Sequence, residues 1–586
     1  MRSEKSRKGL RSPAAFASAL AVVALLIGIG VALAISWRGT YQQALTTKST
    51  LTQLRNVVQA RDWVKVDPLL VQARQESQAL DASTHSLSWR LLSMIPVVGS
   101  SAGAVGDLAT SVEEILIAAQ PLVPYAQQVV HWQLQGNDGS FDLSSLAKAA
   151  PEIRELGRVL AVSGARLQEV NLSHAPQSLV TAVNEVRDLA VNSADAVTAA
   201  ADLATWGPSL VGADGARTWL VMLQNPAEAR GSGGFPGGYL TVTAKDGRLN
   251  VRSVGTSNDL SKHAIPDGSA PADSKSLWGK RLKAWNSFNQ SPHFPMVAKL
   301  AAAGMAARGE PVGGVVAVDP RMVAALLKVI GPIAASGQTV TAENAEKFFM
   351  VDVYAKYRDE RVRDDVTMAV VQAILAKFLS VPLDPSALVN ALREPIAQGH
   401  MRAWSDRPKE ESWLAQTAVG GVVLDTAGPV IAVVSNNSAG SKMDAFVSTA
   451  IDYRVGSCSD ATRQSTIAIT LTNNAPKGLP RGLGTYDRYD DYSAPANSTS
   501  TVLAVYPPVN SNFNSATIDG KNAPMYLGHE RNRQVWYIYL PINQGQKRVL
   551  DVSFGQPRVL GVAARVITQS MAIDPEISIA DEAACS

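Results

Sequence analysis

QNPAEARGSGGFPGGY, residues 224–239, sets five glycines and two prolines around one acid, Glu228, and one base, Arg230. It follows the apolar run 219–223, which reads as a buried strand. A strand that opens into glycine lets backbone approach a neighbour or a ligand closely, because no Cβ intervenes. A guanidinium at such an entrance suits an anion, since its planar donor fork matches phosphate and carboxylate oxygens. Its plainer alternative is an ion pair with Glu228. Gly233, Gly234, Gly237 and Gly238 either leave room for a ligand or permit bulges and positive φ, and the structural role is the expected one.

Around this stretch, residues 219–379 alternate short β-rich runs (219–223, 239–244, 249–254, 314–318) with helical patterns at 322–329, 342–357 and 364–379. Lys245-Asp-Gly-Arg248 predicts a hairpin turn between two of the runs, and Thr341 is placed as the N-cap of the middle helix. Strands mixed with helices predict an α/β or α+β domain. Past residue 451 the runs 465–471, 500–506, 534–539, 548–554 and 563–569 are separated by Gly, Pro and Asn turns, as in an antiparallel β-sandwich. Between the two lies SNNSAGSKMDAF, 435–446, read as a loop. Its Asn436, Asn437, Lys442 and Asp444 form either a polar site or, preferably, an Asx-turn network that pins a domain junction. Upstream, 38–203 is helical, with apolar residues such as Val105, Leu108, Val112 and Ile115 at helical spacing. Ile95-Pro-Val-Val-Gly99 and Gly136-Asn-Asp-Gly139 punctuate it.

Residues 14–35 carry no charge and span about 33 Å as a helix, against about 30 Å of bilayer hydrocarbon. Arg2, Lys5, Arg7, Lys8 and Arg11 precede them, so the positive-inside rule puts the N-terminus in the cytoplasm and the rest outside. A cleaved signal peptide is the alternative, but the run is long for one and Ile35-Ser-Trp-Arg38 makes a poor cleavage site. The expected organisation is multidomain: a basic cytoplasmic tail (1–13), a transmembrane helix (14–35), an α-helical stalk (36–208), a central α/β domain (209–450) and a β-sandwich (451–586). Outside the membrane Cys458 and Cys585 are free to form a disulfide or to remain unpaired thiols.

The charge balance excludes little beyond nucleic acid: a net +3 with no basic stripe interleaved with aromatics gives no nucleic-acid footprint. The seven histidines are scattered, without a zinc pattern. No phosphate-binding G-x-x-x-x-G-K-[ST] loop and no G-x-S-x-G elbow occur. Arg358, Arg361 and Arg363 stand among Asp359, Glu360, Asp364 and Asp365, so they form either a self-paired helix start or a phosphate clamp.

These motifs together resemble the bacterial membrane-anchored family known as domain of unknown function 4012. The resemblance rests on the helical break at 95–99, on Asn225-Pro-Ala-Glu-Ala-Arg230 with Gly233-Gly-Phe235 and Gly238-Tyr239, on Val315-Val-Ala-Val-Asp-Pro320 followed by a helix and Gly331-Pro332, and on Asn436-Asn-Ser-Ala-Gly-Ser-Lys442-Met-Asp444. Residues 286–295 lack the Arg-Asp pair and Asn-Trp common there in that family. More faintly, the central domain is similar to the LytR-CpsA-Psr family. Those extracellular enzymes transfer glycopolymers from a polyprenyl-pyrophosphate lipid to the cell wall, with arginines, acids and a divalent metal. The likeness implies that Arg230 contacts pyrophosphate, that Asp259 holds a divalent metal such as magnesium, and that Arg358, Arg361 and Arg363 are a second basic cluster. Gln224-Asn225 occupy the place of those enzymes' first metal-binding aspartate. Two functions are therefore expected: a non-catalytic envelope scaffold or binding module, or a phosphotransferase-like protein acting on a polyprenyl-phosphate-linked glycan or cell-wall polymer.

Overall fold

The structure is a computed structural model that describes residues 39–581 apart from 59, 61, 96–97, 126–139, 141–143, 424, 458–460, 485–489, 492 and 532. The basic tail 1–13, the expected membrane helix 14–35, the turn at 136–139, Cys458 and Cys585 lie outside the described residues. Among the described residues no helix is long and apolar enough to cross a membrane. The chain divides into two compact units, residues 1–133 with 142–210, and residues 134–141 with 211–586.

The first unit is helical. Its helices include residues 39–58, Trp63–Thr84, Leu87–Ser93, Val98–Ala119, Ser144–Gln168 and Gln177–Leu210. Of the break expected at 95–99, residues 96–97 lie outside the described residues; one helix ends at Ser93 and the next begins at Val98. Ala190, Ala194, Ala201 and Ala204 are all buried along one helix, at the three-, four- and seven-residue spacing that shares a helical face. The partner helix answers with glycine. A Cβ on Gly157 would stand 2.8 Å from Thr198 Oγ1, and one on Gly164 would stand 3.0 Å from Val191 Cγ2. Glycines set against Thr198 and Val191 let the two backbones approach closely. Elsewhere Leu70, Leu116 and Val123 build a conventional core, and the Trp89 indole donates to the Ala102 carbonyl at 3.1 Å.

The second unit contains a five-stranded mixed sheet of order β3-β2-β1-β4-β7. The strands are β1 (Arg217–Arg230), β2 (Gly233–Lys245), β3 (Arg248–Thr256), β4 (Gly314–Val318) and β7 (Met401–Ser405). A small hairpin, β5 (Ile333–Ala335) and β6 (Gln338–Val340), stands apart from it. β1 pairs parallel with β4, and the other neighbours are antiparallel. Successive residues of β1 feed opposite cores, as the two-residue strand repeat requires. Leu220 and Met222 join Trp285, Phe288 and Val297 on one face. Val221 and Leu223 pack with Leu327, Phe349 and Val371 on the other. Burial on both faces explains why 219–223 reads as an unbroken apolar run. The expected turn forms, with Lys245 opposite Arg248 and positive φ at both Asp246 and Gly247.

The glycine-rich stretch is not a loop after a short strand. β1 continues through Gln224 to Arg230, the chain turns at Gly231 and Ser232, and β2 starts at Gly233. Register shifts after Leu223 and after Asn225 make this a bulged hairpin. The bulges put backbone where side chains would stand: a Cβ on Gly234 would lie 2.1 Å from the Asn225 carbonyl carbon, and one on Gly231 would lie 1.8 Å from the Gln290 carbonyl oxygen. Gly233 sits at φ +136°.

The β-rich remainder of this unit has two facing sheets. One has the order β13-β12-β16-β10-β9-β18, the other β14-β15-β11-β8-β17. Their strands are β8 (Val430–Asn437), β9 (Val447–Val455), β10 (Thr462–Asn473), β11 (Thr499–Tyr506), β12 (Asn512–Ile518), β13 (Lys521–Asn522), β14 (Tyr526–Glu530), β15 (Arg533–Ile542), β16 (Lys547–Pro557), β17 (Arg565–Thr568) and β18 (Glu576–Asp581). Ile431, Val433, Ile467, Ile469, Trp536 and Phe554 share the core between them. Two details differ from the expectation. β17 and β18 pair parallel with β8 and β9, so the sheets are mixed. Ser435–Asn437, read as the start of a loop, belong to β8, all of whose residues are buried.

Candidate functional site

The hairpin tip meets the turn after β8, and the contact is made by charge. The Arg230 guanidinium donates to Glu228 Oε1 at 2.6 Å, to the Ala229 carbonyl at 3.0 Å and to the Asn437 carbonyl at 3.1 Å. Lys442 Nζ donates to Glu228 Oε2. Glu228, Arg230 and Lys442 are all buried. Burial would raise the Glu228 carboxyl, but Lys442 and Arg230 outweigh it and hold the pKa below its ordinary value. Burial likewise works against the Lys442 ammonium, and Glu228 outweighs it, raising that pKa.

Asparagines complete the junction. Asn436 Oδ1 accepts from the Gly231 amide at 2.8 Å, while its amide donates to the Gln290 carbonyl at 3.1 Å. Asp444 Oδ2 accepts from the Ala229 amide and from Asn437 Nδ2, each at 2.8 Å. Asn437 Oδ1 accepts from the Gly440 amide, three residues on, at 2.8 Å. Burial pushes Asp444 up to about 6, against those two donors. Asn436, Asn437, Lys442 and Asp444 thus bond the β8–β9 turn to the hairpin.

Beside this junction opens a cleft of about 1060 Å3. It lies at the carboxyl ends of parallel β1 and β4, where open α/β sheets commonly bind ligands. Leu223, Val318, Val323, Phe349, Met368 and Val371 give it an apolar wall. Arg358, Arg363, Arg281 and Arg481 line it together with the acids Asp319, Glu360, Asp364 and Asp490, Arg363 lying 3.7 Å from Glu360 and 3.9 Å from Asp364, and Arg230 and Lys442 reach it from the junction. The Tyr354 ring has the Arg363 guanidinium 4.9 Å and the Lys442 ammonium 5.1 Å from its centroid, both within cation–π range. A π-helical turn at Phe348–Asp352 shapes the same wall. Such turns often mark functional sites, and here the Phe349 carbonyl accepts from Asn225 Nδ2 at 3.0 Å.

The sequence-chosen residues separate into groups. Arg358 and Arg363 line the cleft with Arg230, Gly237, Gly238, Asn436, Asn437 and Lys442. Arg361 is exposed and does not line it. Its backbone amide donates to Asp359, which caps the helix Glu360–Ser380. Thr341 also differs from expectation: Asn344 precedes the short helix Ala345–Lys347, and Thr341 Oγ1 accepts from the Glu343 amide at 3.2 Å. Asp259 is spent on local structure. Its Oδ2 accepts from the Thr256 amide at 2.9 Å and the Thr256 hydroxyl at 3.1 Å, closing a capping box. Among the described residues no group of three or more His, Cys, Asp or Glu is placed to hold a metal. Asp259 and its surroundings do not fit a magnesium site.

Sequence reasoning missed Tyr354, Phe349, Arg281 and Asp364. Asp364 lines the cleft, and burial pushes its pKa up to about 6, with Arg363 opposing and Glu360, Asp259 and Asp365 adding to it. Only the alternating acids and bases at 358–365 signalled it in the sequence. Arg321 and His400 also went unnoticed. Buried His400 Nδ1 lies 2.6 Å from Asp319 Oδ2, and Arg321 bridges Glu346 and Asp574.

A helical N-terminal region, a mixed helix-and-sheet body with a cleft at its strand ends, and a β-rich C-terminal region define the class of protein. Within it, residues 214–354 match the family described as Protein of unknown function (DUF4012). That span runs from just before β1 to Tyr354, so it holds the bulged hairpin and, in Leu223, Val318, Val323 and Phe349, part of the apolar wall of the cleft. No curated protein and no solved structure matches the chain.

Proposed function

We propose that this is a membrane-anchored extracytoplasmic binding module of the cell envelope whose cleft takes an anionic amphiphile, of the class of polyprenyl-pyrophosphate-linked glycans. The observation that carries the reading is the pairing, in one cleft, of an apolar wall with Arg358 and Arg363. Such a surface offers a lipid chain a dry contact and its phosphates charge-assisted hydrogen bonds. The faint LytR-CpsA-Psr likeness of the central domain points to the same ligand class. The engagement of Asp259 in a helix cap favours binding over metal-assisted transfer. Arg230 then serves the ligand indirectly, by holding the cleft's two sides together through Glu228 and Asn437. The anchor is the uncharged run 14–35. A mature chain whose N-terminus began near residue 36 would contradict it.

Equilibrium binding of a polyprenyl pyrophosphate in detergent tests the ligand. Removing one charge-assisted contact costs about 1.5–3 kcal/mol, or on the order of tenfold to a hundredfold in affinity. Arg363→Ala and Arg358→Ala are each expected to weaken binding on that scale with thermal stability unchanged. Equal affinity of the double variant and the parent would overturn the proposal.

A further inference from the structure

A second buried polar cluster lies where β11, β14 and β15 meet residues 273–274 and 291–293. Its centre is Arg533, which is 1% exposed. Among the described residues its Nε, Nη1 and Nη2 all lack a hydrogen-bond partner. A guanidinium does not shed its proton in a protein, and a buried unpaired cation is among the costliest groups a fold can hold. Carboxylates stand nearby, but each is engaged elsewhere. Glu530, opposite Arg533 across the hairpin, accepts from the Tyr506 hydroxyl at 2.7 Å and the Ser274 hydroxyl at 3.2 Å. Asp425 accepts from Arg531 at 2.6 Å. Asp273 accepts from the backbone amides of Ser274 and Arg531. Arg531 spends its guanidinium on Asp425, the Val423 carbonyl and His293 Nδ1. Burial and then Arg531 push the His293 pKa down to about 3, so its ring is neutral and accepts that bond.

We propose that Arg533 holds a small inorganic anion of halide size, seated in its donor fork between the β14-β15-β11-β8-β17 sheet and the mixed α/β body. The enclosure argues for a small ion: a site whose arginine is 1% exposed gives no passage to a phosphorylated organic ligand. Arg533, Arg531 and His293 do not line the cleft, so this site stands independently of the proposed lipid ligand. Its role is to neutralise the one guanidinium that the surrounding carboxylates leave unpaired.

The test uses the full chain in sodium chloride and in sodium gluconate at matched ionic strength. An ion that binds only the folded state raises Tm as its concentration climbs above Kd. The expected result is a rise of a few degrees in chloride that gluconate does not reproduce and that Arg533→Met abolishes. Identical Tm in the two salts, or an undiminished chloride shift in Arg533→Met, overturns the proposal. Should that variant fail to fold, bromide-soaked crystals of the parent decide: an anomalous peak within hydrogen-bonding reach of Arg533 supports the site, and no anomalous peak there overturns it.

Discussion

Glu228 carries two buried cations, Arg230 and Lys442. Such a triad is worth little net against an apolar substitute, but removing one member strands the others. Glu228→Gln is expected to cost about 3–5 kcal/mol, read by chemical denaturation. An unchanged midpoint would show that the triad is slack. Asp444 supplies the pH dependence. Its folded pKa of about 6 lies above the ordinary 3.8, so its contribution is fully present below the ordinary value and is lost as pH rises through 6. Two units correspond to about 3 kcal/mol at most, less for a carboxyl that is only partly enclosed. Asp444→Asn should therefore flatten the fall in stability between pH 4 and pH 7, followed by denaturation at each pH. Glu228 acts with the opposite sign, since its depressed pKa gives stability that disappears only as pH falls through the folded value. The Glu228–Arg230 pair was legible in the sequence because the two lie side by side. Lys442 was not, because it lies 214 positions away from Glu228.

The bulged hairpin is the element that depends most on glycine. Gly234→Ala drives a Cβ into the Asn225 backbone at 2.1 Å, whereas the nearest atoms to a Cβ on Gly237 belong to the Phe235 ring at 3.4 Å. The first change is expected to cost about 3 kcal/mol or more, as overpacking against fixed backbone does, and the second less than about 1 kcal/mol. Comparable Tm losses in the two variants would contradict the close-approach reading. Sequence pattern found the strands at 239–244 and 249–254 with their turn, and the helices after 320 and 359, because strand alternation and helical periodicity are local. It ended β1 too early, because Asn, Pro and Gly usually stop a strand and only pairing with β2 keeps this one extended. It also took Ser435–Asn437 as loop. The Ser435 hydroxyl pairs with Thr501 of the neighbouring strand and the Asn436 side chain with Gly231 and Gln290, partners that no local pattern records, while Asn437 is satisfied within its own turn.

At the scale of the second unit, the hairpin, the β8–β9 turn and the helix Glu360–Ser380 bring residues from distant stretches of sequence into one cleft. The basic residues were visible in sequence as isolated clusters, and Arg230 was the obvious ligand contact. The structure reverses the emphasis: Arg230 is consumed in the junction, and Arg363 beside Tyr354 faces the cleft. The apolar wall escaped notice because Leu223, Val318, Phe349 and Val371 are ordinary core types whose convergence depends on topology. The most direct measurement is a crystal structure grown with a polyprenyl pyrophosphate. Phosphate density against Arg358 and Arg363, with the chain along Leu223 and Phe349, is the expected result. An empty cleft at saturating ligand, with the lipid bound elsewhere or not at all, would contradict it.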